Sequence, residues 1–488
     1  MKKAAEWALG VTAQPGVTYA DARMVAQRSR ALSTKNGKAG TVSDVESEGL
    51  SVRVIADGAW GFAASAGLDR EEVEAAAAHA VQIARASARV KKEDVQLAPE
   101  KTVTAEWATP YKIDPFTISV EQNIDLLLKI DAELRSVAGI TLAEANLNFS
   151  REEQWFLSSE GADIQQTKIS TGVGYAAYAF AGSEIQKRSY PNSFGGQWQN
   201  KGYELIHELP LVENARRIAE EAVSLHKADQ CPEGRFDIIL DSSQLGLQIH
   251  ESIGHPIELD RVLGMEANFA GTSFLTLDKL RTLQYGSPLV NVVADARQEH
   301  GPGLGTFGFD DEGVPAQCTP IITNGLFTGY LSSRETAHTL GENRSGGTMR
   351  AEGWNRLPMI RMTNISLLPG EQPLTLEQLI ASTDHGILME TNRSWSIDDK
   401  RYNFQFGCEI GWEIKNGKRV RMLKNPSYSG ITTEFWNALD AICSRDEWTL
   451  WGTPNCGKGQ PQQVMGTGHG AAPSRFRKIQ VGSAYKGA

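Results

Sequence analysis

Cysteine, long apolar stretches and excess positive charge are scarce in this sequence, and each shortage excludes a class of protein. The 488 residues include five cysteines, an odd number at irregular spacing, so a disulfide-stapled secreted domain is not expected. No stretch approaches the ~18 consecutive apolar residues that a transmembrane helix needs. Glu6 interrupts the short apolar segment behind the basic start, which is not the pattern of a signal peptide. We therefore expect a cytoplasmic protein with no membrane segment.

The charge balance limits the partners. The chain carries 49 lysines and arginines against 59 acids, a formal net charge of −10. Because nucleic-acid binding needs clustered Lys and Arg to neutralise phosphates, we expect no nucleic-acid partner. The hydrophobic fraction of 41% is that of ordinary globular proteins and supplies ample material for a buried core. At roughly 100–200 residues per domain, the length predicts about two to four domains.

Residues 1–231 alternate strand and helix patterns, which predicts an α+β N-terminal domain. Extended and turn signals come first, and a helix that Asp69 caps follows them. A second group of strands and helices then repeats this order. The predicted elements are strands within 19–65, a helix over 70–89, a helix over 119–137, strands over 140–149 and 161–180 with residues 155–157 between them, and a helix over 211–227.

A linker signal, Cys231-Pro232-Glu233-Gly234, marks the start of a second predicted domain, residues 232–488. Two Asn-Gly pairs within it predict tight hairpin turns. We expect mostly antiparallel sheet, together with one helix that carries the motif described next, so the predicted fold class is α+β. The predicted elements are a strand over 236–240, a helix from Ser243, and hairpins over 320–331 and 400–422.

His250, Glu251 and His255 form a short segment typical of a zinc site in a hydrolase. Two neutral imidazoles bind the metal, and the neighbouring carboxylate takes a proton from a water whose pKa zinc lowers to about 7. Glutamate suits the role of base because it is not bound to the metal and can return the proton to the leaving amine. The alternative interpretation is a polar helix end with two hydrogen-bonded histidines.

The spacing of the two histidines predicts a local distortion of the helix. Positions five residues apart lie roughly 140° apart on a regular α-helix, so His250 and His255 would not share one ion. One added residue in the turn, a π-bulge, returns both rings to one face, and such bulges are frequent at functional sites. Gly254 permits the distortion. We therefore predict a bulged or interrupted helix between the two histidines.

Four motifs, in the same order and at similar distances, give the sequence a resemblance to the TldD/PmbA family of metallopeptidases. The similarity runs through nearly the whole chain. In the family, one residue often separates the lysine of the last motif from Gly-Gln, whereas here they are adjacent. The motifs are His250-Glu251-x-x-x-His255 followed by Glu258 and Asp260, Asp310-Asp311-Glu312-Gly313, Arg361-Met362-Thr363-Asn364, and Cys456-Gly457-Lys458-Gly459-Gln460.

The resemblance implies a zinc peptidase in which Cys456 is the third metal ligand. Three protein ligands, His250, His255 and Cys456, leave the fourth position of one zinc ion per chain open, as catalytic zinc requires. The resemblance also implies a dimer, formed with either an identical chain or a related inactive partner. Cys408 lies in a strand pattern and is expected to be a core residue.

Other polar residues have more than one interpretation. Arg361 and Asn364 are predicted to bind substrate, Arg361 through its fork of donors on a peptide carbonyl or carboxylate, and a surface salt bridge is the alternative. His469 is predicted to reach the substrate or the metal, with a surface turn as the alternative. The acidic segment 310–312 forms either an acid-rich turn, a second cation site or part of the cleft lining.

The leading hypothesis is hydrolysis of peptide bonds with Glu251 as the general base. The strand-rich C-terminal domain is expected to hold an extended peptide by adding it to a sheet edge, a mode that favours unfolded peptides because it reads the backbone. Two alternatives stay open. One is a zinc amidohydrolase that acts on small non-peptide molecules, and the other is an inactive peptide-binding subunit of a dimer.

Overall fold

The structure, a computed structural model, describes residues 2–268 and 271–482, and two eight-stranded sheets organise them. The first part of the chain forms α1 (Lys2–Thr12), β1 (Val17–Lys35), β2 (Lys38–Ala56), β3 (Ala59–Ser65), α2 (Arg70–Ala88), β4 (Thr104–Ala108), α3 (Val120–Arg135), β5 (Ile140–Ser158), β6 (Asp163–Ala181), β7 (Glu184–Tyr190), β8 (Gln197–Gln199), α4 (Glu204–Glu208) and α5 (Leu211–Ser224).

The second part begins with β9 (Asp229–Gln230), β10 (Gly234–Leu240), α6 (Ser242–Ile249), a π-helical turn (His250–Gly254), α7 (Leu259–Val262), β11 (Val292–Asp295), β12 (Cys318–Thr323), β13 (Leu326–Phe327), β14 (Met349–Arg350), β15 (Met359–Ile360) and β16 (Ile365–Leu367). It ends with α8 (Leu376–Ala381), β17 (His385–Ile397), β18 (Asn403–Lys415), β19 (Lys418–Lys424), β20 (Ser427–Ile431), α9 (Thr432–Asn437), β21 (Leu439–Ile442), β22 (Thr449–Lys458), β23 (Gln463–Ala471) and β24 (Ser474–Val481). Within the described ranges, no helix combines the length and the apolar character needed to cross a membrane.

The first sheet has the strand order β3-β2-β1-β5-β6-β4, and β7 and β8 also pair with β6. Because successive side chains of a strand point to opposite faces, the two faces of this sheet pack against different parts of the protein. Ala20, Ala22 and Met24 of β1 belong to an apolar core under α1 and α2. Asp21 and Arg23 point the other way, and Arg23 contacts the C-terminal part of the chain. Helices thus cover one face, and the opposite face meets the C-terminal part of the chain.

The second sheet has the order β17-β10-β24-β20-β18-β19-β9, and β17 also pairs with β18, so five of its strands close into a ring. Only two of its pairings, β10 with β17 and β9 with β19, are parallel. The predicted α+β class with a mostly antiparallel C-terminal sheet is therefore confirmed. Every residue of α6 is buried, so this helix runs through the core and carries its C-terminal end to the interior of the domain.

Two predicted hairpins are confirmed, and their turns show why. Asn324 and Gly325 join β12 to β13, and Asn416 and Gly417 join β18 to β19. All four residues have positive φ, between 50° and 78°. Asn and Gly tolerate this left-handed conformation, whose twist matches that of the flanking strands.

The structure differs from the sequence prediction at β5 and at the N-terminus. Residues 155–157 were expected to separate two strands, but they continue β5, because β1 pairs with β5 without interruption from Lys35 opposite Glu144 to Asp21 opposite Ser158. The helix α1 was not predicted at all. Its small residues, among them Ala4, Ala5 and Ala8, are buried against the first sheet.

Candidate metal centre

The helix that carries the two histidines ends in a π-helical turn. Asp241 caps α6 by accepting the backbone N–H groups of Ser243 and Gln244 at 3.1 and 3.0 Å. At the other end the helix widens, and the N–H of His255 donates to the carbonyl of His250, five residues earlier, over 3.1 Å. Both rings then face the same space, with centroids 4.8 Å apart. The predicted distortion of the helix is confirmed.

A glycine is needed in this turn because another segment lies directly against it. A Cβ on Gly254 would lie 2.1 Å from Sδ of Met362, a fully buried side chain. Real Cβ atoms do not approach a neighbour so closely, so only glycine fits without a shift. Met362 belongs to the motif at residues 361–364, which is thereby placed against the turn that carries both histidines.

Cys456 joins the histidines from a hairpin that is distant in sequence. Its Sγ lies 3.8 Å from Nε2 of His255. One ligand atom from each of His250, His255 and Cys456 lies within 4.8 Å of the others. In a tetrahedral zinc site, with Zn–N of about 2.0 Å and Zn–S of about 2.3 Å, such atoms are ~3.3–3.6 Å apart. The donor set fits zinc after a small inward shift, and the structure brings the three predicted ligands together.

Positive charge beside Cys456 favours the thiolate that metal binding requires. Burial opposes ionisation of this thiol, but the guanidinium of Arg361 and the imidazole of His255 hold the pKa of Cys456 below its usual value. Arg361 also fixes the hairpin, because its guanidinium donates to the backbone carbonyls of Cys456 and Gln463. The buried guanidinium of Arg361 therefore both favours the thiolate of Cys456 and holds Cys456 in position.

A buried carboxylate orients His255. Oε2 of Glu258 lies 3.1 Å from Nδ1 of His255, an arrangement that fixes the tautomer of a metal-binding histidine. Nζ of Lys458 is 3.4 Å from the other oxygen of Glu258 and donates to both oxygens of Asp260 at 2.7 and 2.8 Å. Burial opposes ionisation of Glu258, yet Lys458 and His255 hold the pKa of its carboxyl well below its usual range. The Cys-Gly-Lys motif thus contributes both the candidate ligand Cys456 and the cation of Lys458, which pairs with Glu258 and Asp260.

A second histidine supports His250. His469 lies on β23 and is fully buried, with Nε2 2.7 Å from Nδ1 of His250. Its Nδ1 is 3.2 Å from the carbonyl oxygen of Ile365. Burial lowers the pKa of His469 well below its usual range and lowers the pKa of His250 to about 4. Both rings are therefore neutral near pH 7, and the alternative of a surface turn at His469 is wrong.

Glu251 lines the same cleft as the three candidate ligands. Its carboxylate accepts a hydrogen bond from the guanidinium of Arg401, which lies in the loop between β17 and β18. The backbone of Arg401 has a left-handed φ of 65°, and its side chain is 18% exposed. The cleft measures about 240 Å³, and its other lining residues are Phe194, Leu247, Trp395, Thr453, Asn455, Gly457 and Gln462.

The three residues that were predicted to bind substrate are buried. Arg361, Asn364 and His469 have no exposed surface. Asn364 donates to the carbonyl of Asp295 and to the hydroxyl of Thr306, both at 2.8 Å. Direct contact with a substrate is therefore not possible in this conformation. The three side chains instead hold the ligands and the segments around them in place.

The acidic segment 310–312, between β11 and β12, contacts the first sheet. Oδ2 of Asp311 accepts a hydrogen bond from Arg23 of β1 at 2.6 Å. Glu312 pairs with Arg53 of β2 at 3.4 Å. Because these carboxylates are buried and engaged by cations of the first sheet, the segment joins that sheet to the C-terminal part of the chain and does not form the second cation site that was one of its predicted interpretations.

Sequence reasoning missed the roles of Lys458 and Arg401. A signal existed for Lys458, because positions 456 and 458 of one strand face the same side, so the lysine had to lie beside the cysteine. No comparable signal marked Arg401, since a basic residue in a polar loop is the ordinary case. Its position next to Glu251 follows only from the path of the β17–β18 loop.

Comparison with known proteins identifies the family of this chain. The models for PmbA/TldA metallopeptidase domain 1, central domain and C-terminal domain match residues 20–84, 113–227 and 233–483. The chain belongs to the TldD/PmbA family of metallopeptidases. A metalloprotease of Methanothermobacter thermautotrophicus is 30% identical to this family member over 467 residues, which cover 96% of each chain. A zinc metalloprotease TldD homolog of Saccharolobus solfataricus is 24% identical, over 90% of this chain and 91% of that protein.

A solved relative shows the same fold. The crystal structure of TldE from Thermococcus kodakarensis superimposes with a TM-score of 0.72 at 15% identity, over 99% of this chain and all of that one. At this identity the likeness concerns the fold alone. The division of this chain into two domains at residue 231 stays a prediction.

Proposed function

We propose that this family member is a zinc-dependent peptidase with Glu251 as its general base. The observation that carries the proposal is the meeting, in one cleft, of three candidate ligands and a carboxylate that is not a ligand. A purely structural zinc site fills all four positions with protein ligands and needs no base. The relatives named as metalloproteases support the same chemistry.

Each residue of the cleft has a defined task in this proposal. Zinc, when bound, lowers the pKa of a coordinated water to about 7 and polarises the scissile carbonyl. His250, His255 and Cys456 hold the metal and leave one position open. A carboxylate oxygen of Glu251 accepts a proton from the attacking water and delivers it to the nitrogen of the leaving amine. Arg401 restrains that carboxylate through its hydrogen bond.

We propose unfolded or extended peptides as the substrates. Among the described strands, β22 pairs only with β23, so its other edge is not part of a sheet. The pairing with β23 is irregular between Thr453 and Cys456, and Thr453 and Asn455 line the cleft. Gln197 of β8 occupies the backbone of this edge at Leu450 and Gly452. A peptide would therefore lie along residues 453–455 and be held mainly through its backbone, which predicts weak side-chain selectivity.

The substitution Glu251→Gln tests the mechanism, because it keeps the shape of the side chain and removes the proton acceptor. We expect hydrolysis of a fluorescence-quenched unfolded peptide to fall by about 10²–10⁴-fold. Zinc per chain, measured by elemental analysis, should stay unchanged because Glu251 is not a ligand. The control is Glu371→Gln, an exposed acid of the same part of the chain, which should change neither quantity. Wild-type hydrolysis by Glu251→Gln would overturn the mechanism.

The same assays separate the alternatives. Hydrolysis of small N-acyl amides without cleavage of peptides would indicate an amidohydrolase. A zinc-loaded wild type that binds peptides and cleaves nothing would indicate a peptide-binding subunit. The dimer, with an identical or a related chain, stays a prediction that light scattering tests, and the cytoplasmic location is a prediction for cell fractionation.

A further inference from the structure

A chain of hydrogen bonds leads from the backbone to the candidate ligand His250. The carbonyl oxygen of Ile365 lies 3.2 Å from Nδ1 of His469, and Nε2 of His469 lies 2.7 Å from Nδ1 of His250. The hydroxyl of Thr467 is 3.0 Å from Nε2 of His469 and 3.5 Å from Nδ1 of His250. The three side chains are buried, so no bulk water competes for these contacts.

The direction of this chain follows from what each atom can do. A carbonyl oxygen only accepts, so Nδ1 of His469 carries the hydrogen that Ile365 receives. A neutral imidazole has one N–H, so Nε2 of His469 is then a bare acceptor. Nδ1 of His250 must therefore donate to it, because two acceptors 2.7 Å apart would repel each other. This leaves the lone pair of His250 on Nε2.

We propose that His469 is a positioning residue that holds His250 in its Nδ1-protonated tautomer and so presents Nε2 to the metal. The inference rests on the proposed function, since it assigns His469 a task only if His250 is a ligand. Residues that orient a metal-binding histidine through its second nitrogen typically change metal affinity by about 10–100-fold when they are lost. Here the orienting group is a neutral imidazole, whereas Glu258 supplies a carboxylate to His255.

The position of His469 also links the two ligand-bearing elements. His469 and Cys456 belong to the two strands of one hairpin, β22 and β23. A Cβ added to Gly246 would lie 3.6 Å from Cβ of His469, so β23 runs directly against α6. The hairpin that carries the candidate thiolate ligand therefore also sets the tautomer of a ligand on the helix.

Two substitutions of His469 distinguish the effect of its hydrogen-bond acceptor from the effect of the volume of its ring. His469→Leu fills the space but offers His250 no acceptor. His469→Gln keeps both contacts, because its carbonyl oxygen can accept from His250 and its amide N–H can donate to Ile365. With zinc and a chromophoric chelator in competition, we expect about 10–100-fold weaker binding for His469→Leu. His469→Gln should bind zinc within about threefold of the wild type.

A spectroscopic readout reports the tautomer without any activity assay. In ¹⁵N-histidine-labelled, zinc-loaded protein, long-range ¹H–¹⁵N spectra should show His250 protonated at Nδ1 in the wild type and in His469→Gln. The control is Thr467→Val, which removes the contacts of the hydroxyl to His250 and His469 but keeps the imidazole acceptor, and it should bind zinc within about threefold of the wild type. An equal loss in Thr467→Val and His469→Leu would overturn the inference, because the pocket and not the histidine acceptor would then orient His250.

The remaining outcomes distinguish this inference from the proposed function. If the wild type binds zinc tightly and His469→Leu binds it equally well, the inference is wrong and the proposed function stands. A His250 protonated at Nε2 in the zinc-loaded wild type also overturns the inference alone. If the wild type binds no zinc, the proposed function fails and the inference fails with it. Should His469→Leu not fold, weak zinc binding by His469→Gln contradicts the inference by itself.

Discussion

The metal centre has two sides, and the chain builds them in different ways. The helix side, which consists of α6 and its π-helical turn, brings His250, Glu251 and His255 together within six consecutive residues. The hairpin side, which consists of β22 and β23, adds Cys456 and His469, and 201 residues separate His255 from Cys456. The helix side is a consequence of local spacing. The hairpin side exists only because long-range pairing lays one hairpin against one helix.

Opposite buried charges join the two sides. Glu258 and Asp260 follow directly behind the helix side, and Lys458 reaches both of them from the hairpin side. Burial of a charge without its partner destabilises the folded protein by several kcal/mol. The carboxylates behind the helix side and Lys458 on the hairpin side therefore each require the other. Docking of the hairpin on the helix therefore neutralises these charges and assembles the candidate ligands in the same step.

Removing one ligand from each side tests whether both sides hold the metal. We expect Cys456→Ser and His255→Ala each to weaken zinc binding by more than ~100-fold, because two protein ligands hold zinc poorly. This loss exceeds the one expected when a residue that only orients a ligand is replaced. Chelator competition and elemental analysis measure this. The control is Cys408→Ser, a buried cysteine of β18 that should keep its zinc. Equal zinc in Cys456→Ser and the wild type would remove the hairpin side from the metal centre.

Glu258→Gln sharpens the comparison, because it removes the carboxylate that orients His255 on the helix side and leaves the ligand itself in place. We expect zinc binding to weaken by about 10–100-fold, since His255 loses its carboxylate partner. The free energy of unfolding of the metal-free protein should fall by roughly 1–3 kcal/mol, less than for a fully broken buried pair because Asp260 still faces Lys458. Chelator competition and thermal unfolding check both values. Zinc binding equal to that of the wild type would show that Glu258 does not orient His255.

The bulge of the helix side could be predicted from the sequence. Arithmetic on residue spacing placed His250 and His255 on different faces of a regular helix, and the predicted bulge is present. The same kind of local reasoning predicted the Asn-Gly hairpins and the helix that Asp69 caps. In each case the signal and the structure it causes lie within a few residues of each other.

The hairpin side could not be derived in this way. Cys456 was assigned only through the family resemblance, because nothing local distinguishes it from Cys408. Arg361 was expected at the substrate or in a surface salt bridge. His469 was expected at the substrate, at the metal or in a surface turn. Both are buried because their partners, the carbonyl of Cys456 and Nδ1 of His250, come from distant parts of the chain. Local periodicity carries no information about such pairings.

The smallest expected effect concerns the contact that shapes the π-helical turn. Gly254→Ala places a methyl group where Sδ of Met362 lies, and we expect the free energy of unfolding to fall by about 1–3 kcal/mol, with zinc affinity reduced only severalfold. In the Met362→Ala background this atom is absent, so the same substitution should be neutral or stabilising by up to ~1 kcal/mol, the usual preference for Ala over Gly in a helix.

A double-mutant cycle by chemical denaturation therefore isolates the contact. If Gly254→Ala destabilises both backgrounds equally, Met362 does not press on the turn, and the need for glycine must come from the backbone of the turn itself. If the sign reverses as expected, the motif at residues 361–364 supports the helix side through Met362 and the hairpin side through Arg361. The two sides of the metal centre would then share one buried support, although the sequence separates them by about 200 residues.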